Sequence, residues 1–466
     1  MRSVTALRYS GKTLRTAIPL VVVAGLVAVK VFEHYIFYSG YDTAIYSNLA
    51  WNIAHGKGYF SDVLGRHHLG EHFSPVMFLF APLYRLFPTA QVLMAAMGIA
   101  VGATFALLIP LGRIIFGDLA PRRRTVLIWC LPAVFLLYRP VQAALLSQFH
   151  PSTLGMPLIA GVILCLHTRR NAGATVLTAL LLTTKENAIL AVFGLSIYSL
   201  LVLRRGKPAL ILALTGAVAA PVVFGLVMPA FRDGSWGHVS RLAPFAFGQR
   251  KLVYLLRLLL PLGFLPLLGW RALLAAVPLI ALNLLVSYEP QFSIIRHYDD
   301  MASVFLIVAA MHGARLLLLL PLVERTITTH GRTIVRAAVA LAVPVALIIG
   351  WEMFHMVKRK TPDLTRGGIA RIQRMHEQIA RCRKMPERVR ILTHSELAPY
   401  LCHRARISLL WPDSRHKDYD ARDRIVFTPW LCPSFEQEDF DELLASDVPL
   451  YVIERNEDLT VYGVRP

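Results

Sequence analysis

The sequence predicts an all-α polytopic membrane protein of about eleven spans, with a long first outer loop and a small α/β domain at the C-terminal end. Three observations lead there. Of 466 residues 55% are apolar and only 17% charged, where soluble chains carry about 25% charged residues, and the mean hydropathy is +0.52. Apolar runs of about 15–23 residues, close to the length a bilayer demands, recur from position 17 to 351. The charges are segregated: residues 352–466 hold 18 of the 29 acidic and 19 of the 49 basic residues. The first 351 residues thus keep 30 basic against 11 acidic groups, a net of +19, while the tail is nearly neutral. Disordered, collagen-like and ordinary soluble chains are excluded. A net charge of +20 in a soluble protein would point to nucleic acid. Here it follows from the accumulation of Lys and Arg in cytoplasmic loops, and no nucleic-acid partner is expected.

The spans follow in order. Residues 1–16 carry Arg2, Arg8, Lys12 and Arg15 ahead of the apolar run Ala17–Tyr38, with no small-residue cleavage site, so the first span is uncleaved and starts in the cytoplasm. The polar stretch 39–72 then faces outward. The segment Phe73–Phe87 is interrupted by Pro75, Pro82 and Arg85 and is too short to cross, which makes it an interfacial segment of the outer loop 39–89. Spans at 90–112, 125–138, 153–167, 172–184, 188–203, 208–230, 252–269, 272–287, 301–320 and 334–351 complete the transmembrane domain, residues 1–351. This threading places Arg122 to Arg124, Arg169/Arg170, Arg204/Arg205/Lys207, Arg271 and Arg325/Arg332 inside. It places Asp42, Asp62, Glu71, Glu186, Asp233, Glu289, Asp299 and Asp300 outside. Letting 73–87 cross would invert every later loop. The protein is therefore expected in a cytoplasmic membrane, with residues 352–466 extracytoplasmic.

In that tail, Arg388–Leu392, Ile425–Phe427 and Leu450–Glu454 read as short strands. Phe435–Ala445 reads as a helix opened by Ser434 with Glu436, Glu438 and Asp439 in its first turn. Cys130 and Cys165 lie in apolar runs and are expected to be inert. Cys382, Cys402 and Cys432 lack C-x-x-C spacing, so the tail shows no zinc signature, although one pair is open to bridging in an extracytoplasmic domain.

The first outer loop is densest in chemistry: Asp42, His55, Asp62, Arg66, His67, His68, Glu71 and His72 fall within thirty-one residues. Ile45, Leu49 and Ile53 recur every four positions between Asp42 and His55. That spacing predicts an amphipathic interfacial helix with Asp42 near its N-terminus, where the helix dipole favours a carboxylate, ended by Gly56-Lys57-Gly58. His68-Leu69-Gly70-Glu71-His72 spells H-x-x-E-H, which binds zinc only when a helix brings both histidines to one face. Gly65, Gly70 and Pro75 argue against a helix, leaving a weak divalent-cation site at His67, His72 or Glu71, or plain loop packing.

Several stretches resemble a bacterial family of predicted membrane proteins of unknown function that is distantly related to GT-C glycosyltransferases. They are Gly40-Tyr41-Asp42-Thr43-Ala44-Ile45-Tyr46, Leu49-Ala50-Trp51-Asn52, Gly56-Lys57-Gly58, Leu64-Gly65-Arg66 and Glu71-His72-Phe73-Ser74-Pro75. Thr184-Lys185-Glu186-Asn187 resembles the family's K-E-D segment, Arg296-His297-Tyr298 its outer-loop histidine–tyrosine motif, and Arg388–Cys402 with His403-Arg404 its C-terminal segment. The likeness spans most of 30–430. It implies a GT-C-like architecture with the active site on the outer face, a sugar on a polyprenyl phosphate as donor, and an aspartate after the first span serving the reaction.

Asp42 occupies that place and is the candidate general base, or else only a helix-capping carboxylate. Lys185 either holds the donor phosphate, with Glu186 orienting it, or pairs with Glu186. Arg296 and His297 are candidate phosphate ligands, joined in the loop by Arg66, His67, Glu71 and His72. His150 and the polar loop Arg232–His238 are weaker candidates. Thr43 and Asn187 stand where related enzymes carry acids, which points toward a metal-independent or inactive relative. The acceptor would be an envelope glycan, lipid or protein. The rival expectation is a non-catalytic transporter or flippase of lipid-linked or anionic substrates, which would favour internal repeats and midplane charges; neither is evident.

Overall fold

The computed structural model describes residues 2–232, 248–321, 323, 365–410 and 418–465. Apolar helices make up the body. They are α1 (Arg2–Tyr35), α2 (Tyr41–Ala54), α3 (Ala81–Leu86), α4 (Gln91–Ile115), α5 (Pro121–Leu137), α6 (Arg139–Leu146), α7 (Gly155–His167) and α8 (Asn171–Leu182). They continue as α9 (Ala188–Leu201), α10 (Gly206–Ala220), α11 (Met228–Ala230), α12 (Gln249–Leu259), α13 (Leu265–Leu268), α14 (Trp270–Leu273), α15 (Val277–Leu285) and α16 (Asp300–Leu318). Four helical stretches are long and apolar enough to cross a bilayer: Ala17–Tyr35, Gln91–Ile115, Gly206–Ala230 and His297–Leu318.

The expected count of eleven spans is not reached on length and apolarity among the described residues. Two causes are visible. First, α5 and α6 meet at a 51° bend. Tyr138 between them is extended, with φ −71° and ψ 124°, and Pro140 sits in the first turn of α6, where its missing N–H costs nothing. Second, the run expected at 252–269 is broken at Pro261, and both Gly263 and Phe264 adopt positive φ. The helices α7, α8 and α9 are 12–14 residues long, short for a bilayer and dependent on protein around them. The expected span at 334–351, its flanking Arg325 and Arg332, the boundary at 351 and the loop from Asp233 to His238 lie outside the described residues. Phe73–Phe87 forms a 3-10 stretch, Pro75–Phe80, followed by α3, in keeping with a segment too short to cross.

Backbones approach closely where glycine allows it, as apolar helices without a hydrophobic driving force between them require. A Cβ on Gly98 of α4 would lie 2.8 Å from the Leu26–Val27 backbone of α1. A Cβ on Gly313 of α16 would lie 1.9 Å from the carbonyl oxygen of Leu265.

In the loop, β1 (Phe60–Ser61) pairs antiparallel with β2 (Arg66–His67). The tail is a five-stranded sheet in the order β4-β3-β5-β7-β6. It comprises β3 (Ile391–Thr393), β4 (Ile407–Leu409), β5 (Arg424–Phe427), β6 (Leu450–Arg455) and β7 (Thr460–Val464). Strand β3 runs parallel to β4 and β5, while β7 is antiparallel to β5 and β6. The expected tail strands and the helix Ser434–Leu444 are present; β4, β7 and the helix Arg366–Arg383 were not anticipated. Cys382, Cys402 and Cys432 are all unbridged.

The tail docks on the first loop. Ile36, Phe37, Ala44, Ile45 and Val63 share one core with Ile372, Met375, Ile379, Tyr400 and Ile407. The Tyr400 hydroxyl donates to the His34 carbonyl at 2.6 Å. Tail and first loop therefore lie on the same side of the bilayer. The helix α2 is not the surface helix its spacing predicted. It is buried on nearly every side, between the tail and the layer formed by Pro75–Leu86 and α4, and Asn48 and Ser47 bond the tail at Cys402 and His403.

Gly98→Ile or Gly313→Ile is expected to cost more than the ~1–3 kcal/mol typical of overpacking, read as a loss of monodisperse protein in detergent. Gly25→Ala, where a Cβ meets nothing within 4 Å inside α1, should not lower the melting temperature.

Candidate functional site

The site is assembled around the first turn of α2. The first N–H groups of a helix have no partner within it, and here a distant side chain supplies one. Gln148 Oε1 accepts from Asp42 N at 2.6 Å and Thr43 N at 3.3 Å. Thr43 Oγ1 returns a bond, accepting from Phe149 N at 3.1 Å. Gly40 precedes the helix because a Cβ there would lie 2.6 Å from Gln148 Nε2 and 2.7 Å from Glu396 Oε2. The segment ahead of Gln148 is held from within the membrane. The fully buried Lys30 bonds Glu33 at 2.5 Å, the Leu145 carbonyl at 2.6 Å and the Ser147 carbonyl at 3.1 Å.

This pinning delivers His150 to Asp42, with Nε2 3.6 Å from Oδ2. The His150 ring stacks on His297 at 3.3 Å between centroids. Asp300 fixes the next residues, accepting from Ser152 Oγ at 2.7 Å and Thr153 Oγ1 at 3.2 Å. The Asp42 side chain stays 40% exposed toward the cleft while His150 is 8% exposed. Burial pushes the Asp42 carboxyl above its ordinary value, opposed by the nearby charges of Lys185, His72 and Arg296. Burial, aided by the same three cations, pushes His150 well below the ordinary imidazole value, so it is neutral at pH 7.

The turn between α8 and α9 presents Lys185 and Glu186 to this cleft. They do not pair with each other. Glu186 Oε1 lies 2.9 Å from His72 Nδ1, and its Oε2 accepts from Phe73 N at 3.0 Å. Lys185, only 9% exposed, makes no hydrogen bond and no ion pair among the described residues. Arg296 is exposed at the mouth. The structure thus brings together Asp42, His72, Lys185, Glu186, Arg296 and His297, and adds His150 and Gln148.

The other loop candidates stand aside. Arg66 pairs with Glu71 at the exposed rim. His67 stacks on Phe231 at 4.1 Å. His68–Gly70 is a single 3-10 turn, so the H-x-x-E-H run lacks the helix a zinc site needs. Gly70 abuts the Phe231 carbonyl, where a Cβ would sit 2.3 Å away. His67, Glu71 and His72 form no metal-binding group among the described residues. A tail cavity of about 350 Å³ shares no residue with the site, and its Arg371 and Arg374 are already bound to Asp458. Sequence reasoning gave His150 and Gln148 little weight; the signal was the polar Gln148-Phe149-His150-Pro151 run. Nothing in the spacing could have placed Glu396 beside Gly40.

The description "Predicted membrane protein (DUF2079)" matches residues 33–442. The chain belongs to that family. Comparison with curated proteins returns no match. Among solved structures, the chain is similar to ArnT from Cupriavidus metallidurans bound to undecaprenyl phosphate, with a TM-score of 0.53 and 14% identity over 95% of this chain and 97% of that one. It is likewise similar to ArnT from the same organism in the apo state, with a TM-score of 0.52 and 14% identity over 98% of each chain. The chain shares its fold with these two structures.

Burial pushes Glu186 up, but the His72 charge and hydrogen bond, with Lys185, outweigh it and hold the carboxyl at about 2 against an ordinary 4.5. A depressed folded value stabilises above the ordinary one and is lost as pH falls toward the folded one. Glu186→Gln should therefore cost on the order of 3 kcal/mol at pH 7. Thermal melts in detergent should show the gap to wild-type closing between about pH 4.5 and 2.

Proposed function

We propose that the protein is a membrane glycosyltransferase that transfers a sugar from a polyprenyl-phosphate donor to an envelope glycan, lipid or protein on the extracytoplasmic face. The observation that carries this reading is the largely buried Lys185, without a hydrogen bond or ion pair among the described residues, facing the Asp42 carboxylate across one cleft. The Lys185 stem is buried while its ammonium, bonded to nothing among the described residues, is left to pair with an anion that enters the cleft. The ArnT structure bound to undecaprenyl phosphate supports a lipid phosphate as that anion.

The chemistry follows from placement. Asp42 takes the proton of the acceptor hydroxyl, whose oxygen bonds the anomeric carbon. The carbon–oxygen bond to phosphate breaks with its electron pair leaving on the phosphate, and Lys185 and Arg296 stabilise that charge. Attack opposite the leaving group inverts the anomeric centre. The raised value of Asp42 suits it to be a base, because a stronger base accepts a proton more readily. His72 is held by Glu186 at the cleft wall, and the neutral His150 supports Asp42 without cancelling its charge. A transporter would need two states of access to one site, for which no observation speaks.

Membranes carrying wild-type or Asp42→Asn protein are offered labelled polyprenyl-phosphate sugars and donor loss is followed. Asp42→Asn at equal protein level should lose at least about 100-fold in rate; equal consumption by both would remove Asp42 from the reaction. The wild-type rate should fall with decreasing pH along a limb lying above the ordinary aspartate range near ~4, because the raised carboxyl must be ionised to act. Lys185→Met should weaken donor binding, read as a higher KM.

A further inference from the structure

The tail contains a second cluster that the site above does not use. Strand β3 leads out to β4 on one side, while β5 leads out toward β7 and β6 on the other. The carboxyl ends of β3 and β5 therefore diverge, which is the place where open α/β sheets leave a ligand crevice. His394 directly follows β3, Cys432 lies in the loop after β5, and Glu436 stands in the first turn of the helix Ser434–Leu444. Their ligand atoms all lie within 4.8 Å of one another.

His394 is wholly buried, and neither of its ring nitrogens has a hydrogen-bond partner among the described residues. Thr428 Oγ1, at the end of β5, is also buried without one. Leaving a buried polar group unpaired costs about 1–3 kcal/mol, so two orphans at one crevice call for a ligand. Glu436 is oriented by Ser395, whose N–H donates to Oε2 at 2.8 Å.

We propose that His394, Cys432 and Glu436 form a zinc site, with one coordination position open toward solvent on the Cys432 side. An imidazole, a thiolate and a carboxylate together suit Zn²⁺ better than Mg²⁺ or Ca²⁺, which prefer oxygen alone. Tetrahedral bonds of about 2.0–2.3 Å put ligand atoms roughly 3.3–3.8 Å apart, so closure by about an ångström completes the set. Binding displaces the Cys432 thiol proton to solvent and satisfies one His394 nitrogen. The ion also braces the turn that continues to Glu396, the residue against Gly40 beside Asp42. The proposal stands independently of sugar transfer.

The test uses the full chain in detergent, stripped with chelator and titrated with Co²⁺ as a spectroscopic substitute for zinc. The expected result is saturation at a single equivalent with a thiolate-to-cobalt charge-transfer band in the near ultraviolet. Zn²⁺ should bleach that band by displacement. Cys432→Ser should abolish the band, and His394→Gln should weaken binding by more than about 100-fold, beyond the roughly 10- to 100-fold effect of an outer-shell partner. Absence of the band in the wild-type protein overturns the site whatever the variants do, as does a band that survives Cys432→Ser. Far-UV circular dichroism confirms that each variant is folded; should one variant not fold, the other and the wild-type titration decide.

Discussion

The contact between Gln148 and the first turn of α2 is the constraint on which the rest of the site depends. One side-chain oxygen takes both Asp42 N and Thr43 N, replacing partners that a helix start lacks. The same contact sets the direction of α2, the position of the Asp42 carboxylate and the approach of His150. It is upheld from below by Lys30, which holds the carbonyls of Leu145 and Ser147, and from above by Glu396 of the tail against Gly40. Membrane body, loop and tail thus meet at one helix end.

Burying a polar helix such as α2 is feasible because most of its polar groups find partners. Asn48 Nδ2 donates to the Cys402 carbonyl at 2.8 Å, and Asn52 Nδ2 donates to Asp62 Oδ2 at 2.7 Å. Ser47 Oγ lies 2.8 Å from both Tyr84 Oη and His403 Nε2. The tail is consequently part of the wall around the site. Aromatic stacking of His34 on Tyr400 and of Phe37 on His376 adds to that docking at the end of the first long helix.

The electrostatics of the cleft divide the work between paired and unpaired charges. Glu186 is hydrogen-bonded to His72 and Arg66 pairs with Glu71, whereas Lys185 has no hydrogen bond or ion pair among the described residues. Arg296 widens the positive field at the mouth, and that field partly offsets the burial of Asp42. An anionic ligand is thereby favoured beside a carboxyl that burial holds above its ordinary value.

The family motifs, the first span, the helix at Asp42, the glycine stop after it and three of the tail strands were legible in the sequence. Each depends on local periodicity, turn chemistry or residue identity. The number of crossings was not legible, because apolarity marks what can enter a bilayer, while breaks at Tyr138 and Gly263 decide what spans it. The amphipathic reading of α2 failed for a related reason: Asn48 looks solvent-facing until a domain more than 300 residues away supplies its partners, and Asn52 until the loop folds back to bring Phe60 and Asp62 against it. By itself the sequence determined a membrane protein with Asp42, Lys185 and Arg296 near one face. Only the tertiary structure decided that Glu186 bonds His72 rather than Lys185, that His150 flanks Asp42, and that Glu396 and the His394 cluster belong to the same neighbourhood. The physical reason is that hydrogen bonds and charge pairs depend on distance in space, which residue spacing along the chain encodes only within a helix turn or a strand pair.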